Sequence, residues 1–168
     1  MEGLPFEPVE RSLEHVEETA GTLVGNAELK ARSASASGWA IASDGGLEVP
    51  ALGPSWDPVL TRRQGQARLA ELAAGLGDRR VSWREAICLA RGGEVVASWE
   101  RDGTRGVLAP LPWPPPGDLW VWDVFVFPQS GRRWSELDEA ERVQLDLTWT
   151  TLRADVRGLV ETFGGQAT

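Results

Sequence analysis

The sequence predicts an α/β fold, a mixed sheet flanked by helices. Three observations carry that prediction. Residues 80–90 alternate in polarity, turn at Gly92-Gly93 and return over 94–100, the pattern of an antiparallel hairpin. Residues 119–127 are an almost continuous apolar run of strand length, as in a buried central strand. Residues 138–163 repeat apolar side chains at helical spacing, with Leu145, Trp149, Leu152, Val156 and Leu159 or Val160 as the stripe. Strands and helices therefore interleave. No internal repeat or composition break divides the chain, so 1–168 is read as a single domain.

The elements follow in order. Residues 4–10 read as an extended segment broken by Pro5 and Pro8, and 12–20 as an acidic loop. Thr22 is placed to cap a helix over 24–37, ended by Gly38. Asn26 and Lys30, four apart, share one face of it. A strand over 39–43 is expected to stop at an Asp44-Gly45-Gly46 turn. Residues 54–58 form a loop, and 61–76 a second helix with Leu69, Leu72, Ala73 and Leu76 inward. Along 80–90, Val81, Trp83, Ile87 and Leu89 fall on one face. A further strand over 104–109 follows Asp102-Gly103, and 111–117 is Pro-rich and irregular. In the run 119–127, Asp123 shares a face with Val121 and Phe125. Asp138 and Glu141 have capping-box spacing, and Gly164-Gly165 ends the last helix.

Composition narrows the function. Hydrophobic residues make up 42% of the 168, enough for a real core. The net charge of -8 argues against a general nucleic-acid surface. With Cys88 alone, no intrachain disulfide forms, and with His15 alone, zinc held by two or three histidines is excluded. No Ser or Cys motif pairs convincingly with His15, and no phosphate-loop or dinucleotide glycine fingerprint occurs. No apolar run reaches about 18 residues and no signal-peptide pattern opens the chain, so a soluble, cytoplasmic protein without a membrane partner is expected. One lysine, Lys30, stands among 17 basic residues, a position suited to a compact ammonium. Carboxylates, amides, one lysine and several arginines remain, a set suited to Mg²⁺ and phosphate.

Two carboxylates are ambiguous on their own. Asp44 before two glycines reads either as a hairpin turn or as a carboxylate fixed at a strand end for a ligand. Asp123 reads either as a structural partner of an arginine or backbone amide, or as a site residue.

Collinear motifs add a resemblance. Glu18-Thr19-Ala20-Gly21-Thr22 through Asn26-Ala27 and Lys30-Ala31 resembles the Glu-Thr-Gly-x-Thr-Phe-x-Glu-Asn-Ala-x-x-Lys-Ala segment of the non-canonical purine NTP pyrophosphatases, the inosine triphosphatase family. Residues 42–53 resemble its Ala-Asp-Asp-Ser-Gly-Leu-x-Val-x-Ala-Leu-Gly. Thr61-Arg62 fits its Ala-Arg, Trp120-Val121-Trp122-Asp123 its Phe-Gly-Tyr-Asp, and residues 131–142 its Gly-Lys-Thr-x-x-Glu-Leu-x-x-x-Glu-Lys. The resemblance implies an elongated mixed sheet with helices in two lobes around a cleft. It also implies Mg²⁺-dependent hydrolysis of a nucleoside triphosphate to monophosphate and pyrophosphate, and a homodimer. By position, Glu18 and Asp44 would hold Mg²⁺, and Asp44 would orient the attacking water. Asn26 and Lys30 would face the phosphates. Trp120 would stack on the base, Asp123 would border its pocket, and Arg142 would replace a substrate-binding Lys. Gly45, Arg62 and Trp122 fall among the remaining substrate positions.

The departures are specific. Ser43 replaces the first Asp of the pair, Gly45 the Ser, Gly25 the Glu before Asn26, and Val121 the Gly between the aromatics. Asp146-Leu147-Thr148 stands where the family carries its base-reading Ser-His-Arg. Nothing before Leu4 supplies the family's Thr-x-Asn-x-x-Lys loop, so its first strand and helix are expected to be missing. Three readings follow: an active pyrophosphatase with altered base specificity, a degenerate member acting as a nucleotide-binding or protein-partner subunit, and an inherited scaffold in an unrelated role.

Overall fold

The computed structural model describes residues 16–118, 120–145 and 147–164. The expectations for 4–10, the first part of the 12–20 loop, His15 and Gly165 fall outside those residues.

Among the described residues, five strands form one sheet in sequential order: β1 (Trp39–Glu48), β2 (Arg80–Arg91), β3 (Glu94–Leu108), β4 (Phe125–Phe127) and β5 (Arg132–Arg133). Every described pairing is antiparallel, so the parallel component of the expected mixed sheet is not seen among the described residues. The helices are α1 (Leu23–Ala34), α2 (Thr61–Ala73), α3 (Trp120–Val124), α4 (Glu139–Leu145) and α5 (Leu147–Gly164).

Thr22 caps α1 as expected, its hydroxyl accepting from Gly25 N at 3.0 Å. The helix lies on β1 and β2 through small residues. Ala27 and Ala31, fully buried, pack against Ala86, Cys88 and Ala90. Small side chains let helix and sheet approach closely, and they turn Asn26 and Lys30 toward β1. The larger core lies on the other face of the sheet. There Leu47, Val81, Leu108, Phe125 and Phe127 meet Leu69 of α2 and Val124 of α3. Each fully buried ring or aliphatic chain contributes about 1.5–3 kcal/mol.

Three boundaries differ from expectation, each for a reason visible in the packing. β1 does not turn at Asp44-Gly45-Gly46 but continues to Glu48, with Gly45 opposite Glu85 and Gly46 opposite Arg84. The two glycines serve close approach. A Cβ on Gly45 would come within 3.0 Å of the Glu85 carboxylate and the Trp83 ring, and one on Gly46 would strike the Pro58 carbonyl. Asp102-Gly103 does not break β3, because the extra residue is absorbed as a bulge between the Ser82 and Arg84 pairings. Residues 119–127 are not one strand. β3 ends at Leu108, two residues before Pro110, which has no N–H for a ladder, and only Phe125–Phe127 pair. The preceding turn coils into α3, so Asp123 sits half-buried on a helix rather than in mid-strand.

The expected long C-terminal helix is seen as α4 and α5, on either side of residue 146, which lies outside the described residues. Its expected capping box is present: Glu141 N donates to Asp138 Oδ1 and Asp138 N to Glu141 Oε2, both at 2.9 Å. Val156 of the apolar stripe is buried, while the side chains of Trp149, Leu152 and Val160 lie outside the described set.

Candidate functional site

The sheet and α1 bring four of the expected residues into one cluster. Asn26 and Lys30, one turn apart on the sheet-facing side of α1, both reach Asp44 of β1. The Asn26 amide donates to Asp44 Oδ2 at 3.1 Å, and the Lys30 ammonium donates to Asp44 Oδ1 at 2.6 Å. Lys30 also pairs with Glu18 Oε1 at 2.8 Å and lies 3.4 Å from the Ser43 carbonyl. Asn26 is locked from behind, because its Oδ1 accepts from Ala20 N at 3.1 Å. Asn26 and Asp44 are buried, while Lys30 and Glu18 keep an open side. Asp44 therefore lies within a ladder, aimed by two donors.

The charges respond to one another. Burial works against the charged form of Lys30, but its bonds to Asp44 and Glu18 more than offset that, and its pKa is raised. Burial also works against the Glu18 carboxylate. Lys30, with Arg62 and Arg63 further off, outweighs it, and the Glu18 pKa is lowered. Arg62 is thus close enough to be felt by Glu18, although its side chain is exposed. Arg63 holds the same segment by donating to the Glu18 carbonyl at 2.9 Å. Burial pushes the Cys88 thiol up to about 11, so it is no nucleophile at neutral pH.

Three oxygens, from Glu18, Asp44 and the Ser43 carbonyl, converge on one cation, the Lys30 ammonium. A hard divalent ion favours such an all-oxygen set. Among the described residues no group of three or more His, Cys, Asp and Glu side chains could enclose a metal. The donors fit a Mg²⁺ that takes one or two carboxylates and completes its shell with phosphate and water.

The remaining expected residues lie elsewhere. Gly45 follows Asp44 and so faces the opposite side of the sheet, against Glu85 and Trp83. From there an aromatic line runs across the molecule. Trp83 and Trp122 have ring centroids 5.0 Å apart, Trp122 and Trp134 also 5.0 Å, and the Arg142 guanidinium lies 4.2 Å above Trp134. Trp122 therefore has an indole on two sides. Trp120 is buried in the main core. Asp146, from the segment replacing Ser-His-Arg, is outside the described residues, as are the side chains of Leu147 and Thr148.

Sequence reasoning passed over Glu85 and Trp134. Glu85 is only 7% exposed and accepts from Trp83 Nε1 at 2.6 Å. The signal was a lone acid interrupting the apolar face of Val81, Trp83, Ile87 and Leu89.

The model of the Ham1 family matches residues 3–152, nearly the whole chain. The chain belongs to the Ham1 family. Solved structures agree. A HAM1 protein from Coxiella burnetii is similar at 27% identity with a TM-score of 0.70, over 88% of this chain and 81% of that one. The Ham1 protein of Staphylococcus aureus, at 23% identity and a TM-score of 0.66, shares the fold over 86% of this chain and 81% of its own. A nucleoside-triphosphatase / dITP/XTP pyrophosphatase from Mycobacterium abscessus is similar at 25% identity and a TM-score of 0.58, over 90% of this chain and 82% of that one. No curated protein sequence matches the chain. The Ham1 assignment agrees with the inosine triphosphatase resemblance read from the motifs.

Proposed function

We propose that this Ham1-family chain hydrolyses nucleoside triphosphates to monophosphate and pyrophosphate with Mg²⁺, at the Glu18–Asn26–Lys30–Asp44 cluster. One observation carries the reading: two carboxylates from separate segments converge on a single cation position beside α1, next to an amide that fixes one of them. The Mycobacterium abscessus relative, a dITP/XTP pyrophosphatase, supports the substrate class.

Hydrolysis between the α- and β-phosphorus atoms adds one water, breaks one P–O bond and releases one proton. A bound Mg²⁺ supplies charge neutralisation at the phosphates and acidifies the water. Asp44 aims that water and takes its proton, with Asn26 holding the carboxylate in register. Glu18 shares the cation, and Lys30 meets phosphate oxygens. Trp122, Asp123, Arg142 and Arg62 form the remaining substrate contacts of this reading, whereas Trp120 is buried in the main core and Gly45 packs against Glu85 and Trp83 on the other face of the sheet; the chain works as a homodimer. No described helix is long and apolar enough to cross a membrane.

The test is pyrophosphate release from a panel of nucleoside triphosphates with Mg²⁺. Asp44→Asn is expected to lower the rate by at least ~10²-fold. Activity that survives the substitution sinks the role of Asp44. A second reading, a nucleotide-binding subunit without turnover, is favoured by the replacement of Ser-His-Arg with Asp146-Leu147-Thr148. Nucleotide binding with no release from any triphosphate would select it.

A further inference from the structure

We propose that Lys30 is an exchangeable internal counter-ion. It holds the Glu18–Asp44 carboxylate pair in the resting protein and leaves when a divalent cation takes the pair. This inference rests on the cluster being the cation site of the proposed reaction, and it concerns how that site is kept when empty.

The geometry leaves no room for both cations. Lys30 occupies Asp44 Oδ1 at 2.6 Å and Glu18 Oε1 at 2.8 Å, and Asn26 occupies Asp44 Oδ2. The three N–H donors of the ammonium are matched by three oxygens, the third being the Ser43 carbonyl at 3.4 Å. A divalent ion bonding the same carboxylate oxygens would stand within a few ångströms of the ammonium, where like charges repel strongly. The exchange needs no unfolding. The Lys30 and Glu18 side chains keep 22% and 29% of their surface, whereas Asp44 keeps 9%. Lys30 swings on a flexible stem, while α1 stays fixed through buried Ala27 and Ala31. Asn26 is neutral and remains on Oδ2, so Asp44 keeps its aim. The other charged groups near Glu18 are Arg62 and Arg63, which stay exposed. The displaced ammonium is left beside the cation site, where a polyphosphate would lie. A planar guanidinium could not serve three converging oxygens in this way, which explains one lysine in a chain that otherwise uses arginine.

The single lysine also makes the test direct. Lysine labelled at Nζ and Cε gives one side-chain resonance, reporting Lys30 alone. The full chain without nucleotide is titrated with MgCl₂ and, separately, with NaCl at matched ionic strength. Mg²⁺ is expected to move the signal to the position of a free ammonium, and NaCl is not. Asp44→Asn is expected to abolish the Mg²⁺ response. In parallel, Mn²⁺ binding is measured by electron paramagnetic resonance on wild type and Lys30→Met. The variant is expected to bind at least about tenfold tighter, because its internal competitor is gone. A divalent cation that binds while the Lys30 signal stays put overturns the proposal. So does a folded Lys30→Met that binds Mn²⁺ no better than wild type, or not at all. If Lys30→Met does not fold, the wild-type resonance decides alone. Displacement without turnover of any nucleotide refutes the hydrolase reading and leaves the exchange standing. Turnover with Lys30 unmoved does the reverse.

Discussion

Asp44 and Gly45 are neighbours on β1, yet they open onto two different environments. Asp44 faces α1, where each carboxylate oxygen has a donor and the donors are themselves held. Gly45 faces a wall of indoles leading through Trp83, Trp122 and Trp134 to Arg142. The polar side is directional and fully partnered. The aromatic side rests on shape and dispersion, and it leaves Trp134 Nε1 and Arg142 Nε buried without a hydrogen-bond partner among the described residues. Strand alternation alone thus separates a part of the molecule that cannot be altered cheaply from one that can.

The largest stability effect is expected on the polar side. Asn26→Leu keeps the branched four-atom side chain but strips Asp44 Oδ2 and Ala20 N of their partner. A loss of about 2–3 kcal/mol is expected in urea unfolding, the usual cost of leaving a buried charged group short of a bond. A neutral result would break the contrast.

Next comes the boundary between the two sides. Gly45→Ser restores the family residue but drives a Cβ into the Glu85 carboxylate and the Trp83 ring. Overpacking of this kind costs about 1–3 kcal/mol. In a Glu85→Ala background the penalty should shrink, and a double-mutant cycle measures the coupling. Additive costs would show that Gly45 and Glu85 do not share their space.

Much of this was readable in the sequence because it is local. The Thr22 cap, the Asn26–Lys30 face, the β2–β3 hairpin and the Asp138–Glu141 box depend on residues within a few positions of one another. What the sequence hid depends on partners far along the chain. Asp44-Gly45-Gly46 has the composition of a turn, and only β2 across the ladder makes it a strand. Residues 119–127 have the composition of a strand, but β3 ends too early to pair with all of them. The expected Trp120 platform is a core residue for the same reason, because the α3 coil turns its ring inward. Asp44 was legible as a candidate through motif spacing. The ammonium bridging it to Glu18 depends on how α1 packs against β1, which no local pattern reveals.

Smaller effects follow from pH. The Glu18 pKa is lowered from 4.5, so its contribution to stability is complete above that value and is lost as pH falls through the lowered one. The Lys30 pKa is raised from 10.5, so its contribution is complete below 10.5 and is lost as pH climbs past the raised one. The melting temperatures of wild type and Glu18→Gln should therefore differ by a constant amount from about pH 6 to 9 and converge in acid. The difference should be modest, since the pair is open to solvent on one side. A gap that persists well below pH 4.5 would mean that Glu18 acts by packing rather than charge.

The smallest effect is expected at the far end of the aromatic line. Trp134→Phe removes an N–H that has no partner among the described residues and keeps a ring beneath Arg142 and against Trp122. Losing ring area costs something, and losing an unsatisfied buried donor returns a comparable amount. Stability should stay within about 1 kcal/mol of wild type. The same change at Trp83, whose N–H is bonded to buried Glu85, should cost clearly more. If Trp134→Phe proves the worse of the two, the Trp134 N–H has a partner in solution, and the aromatic side is as directional as the polar one.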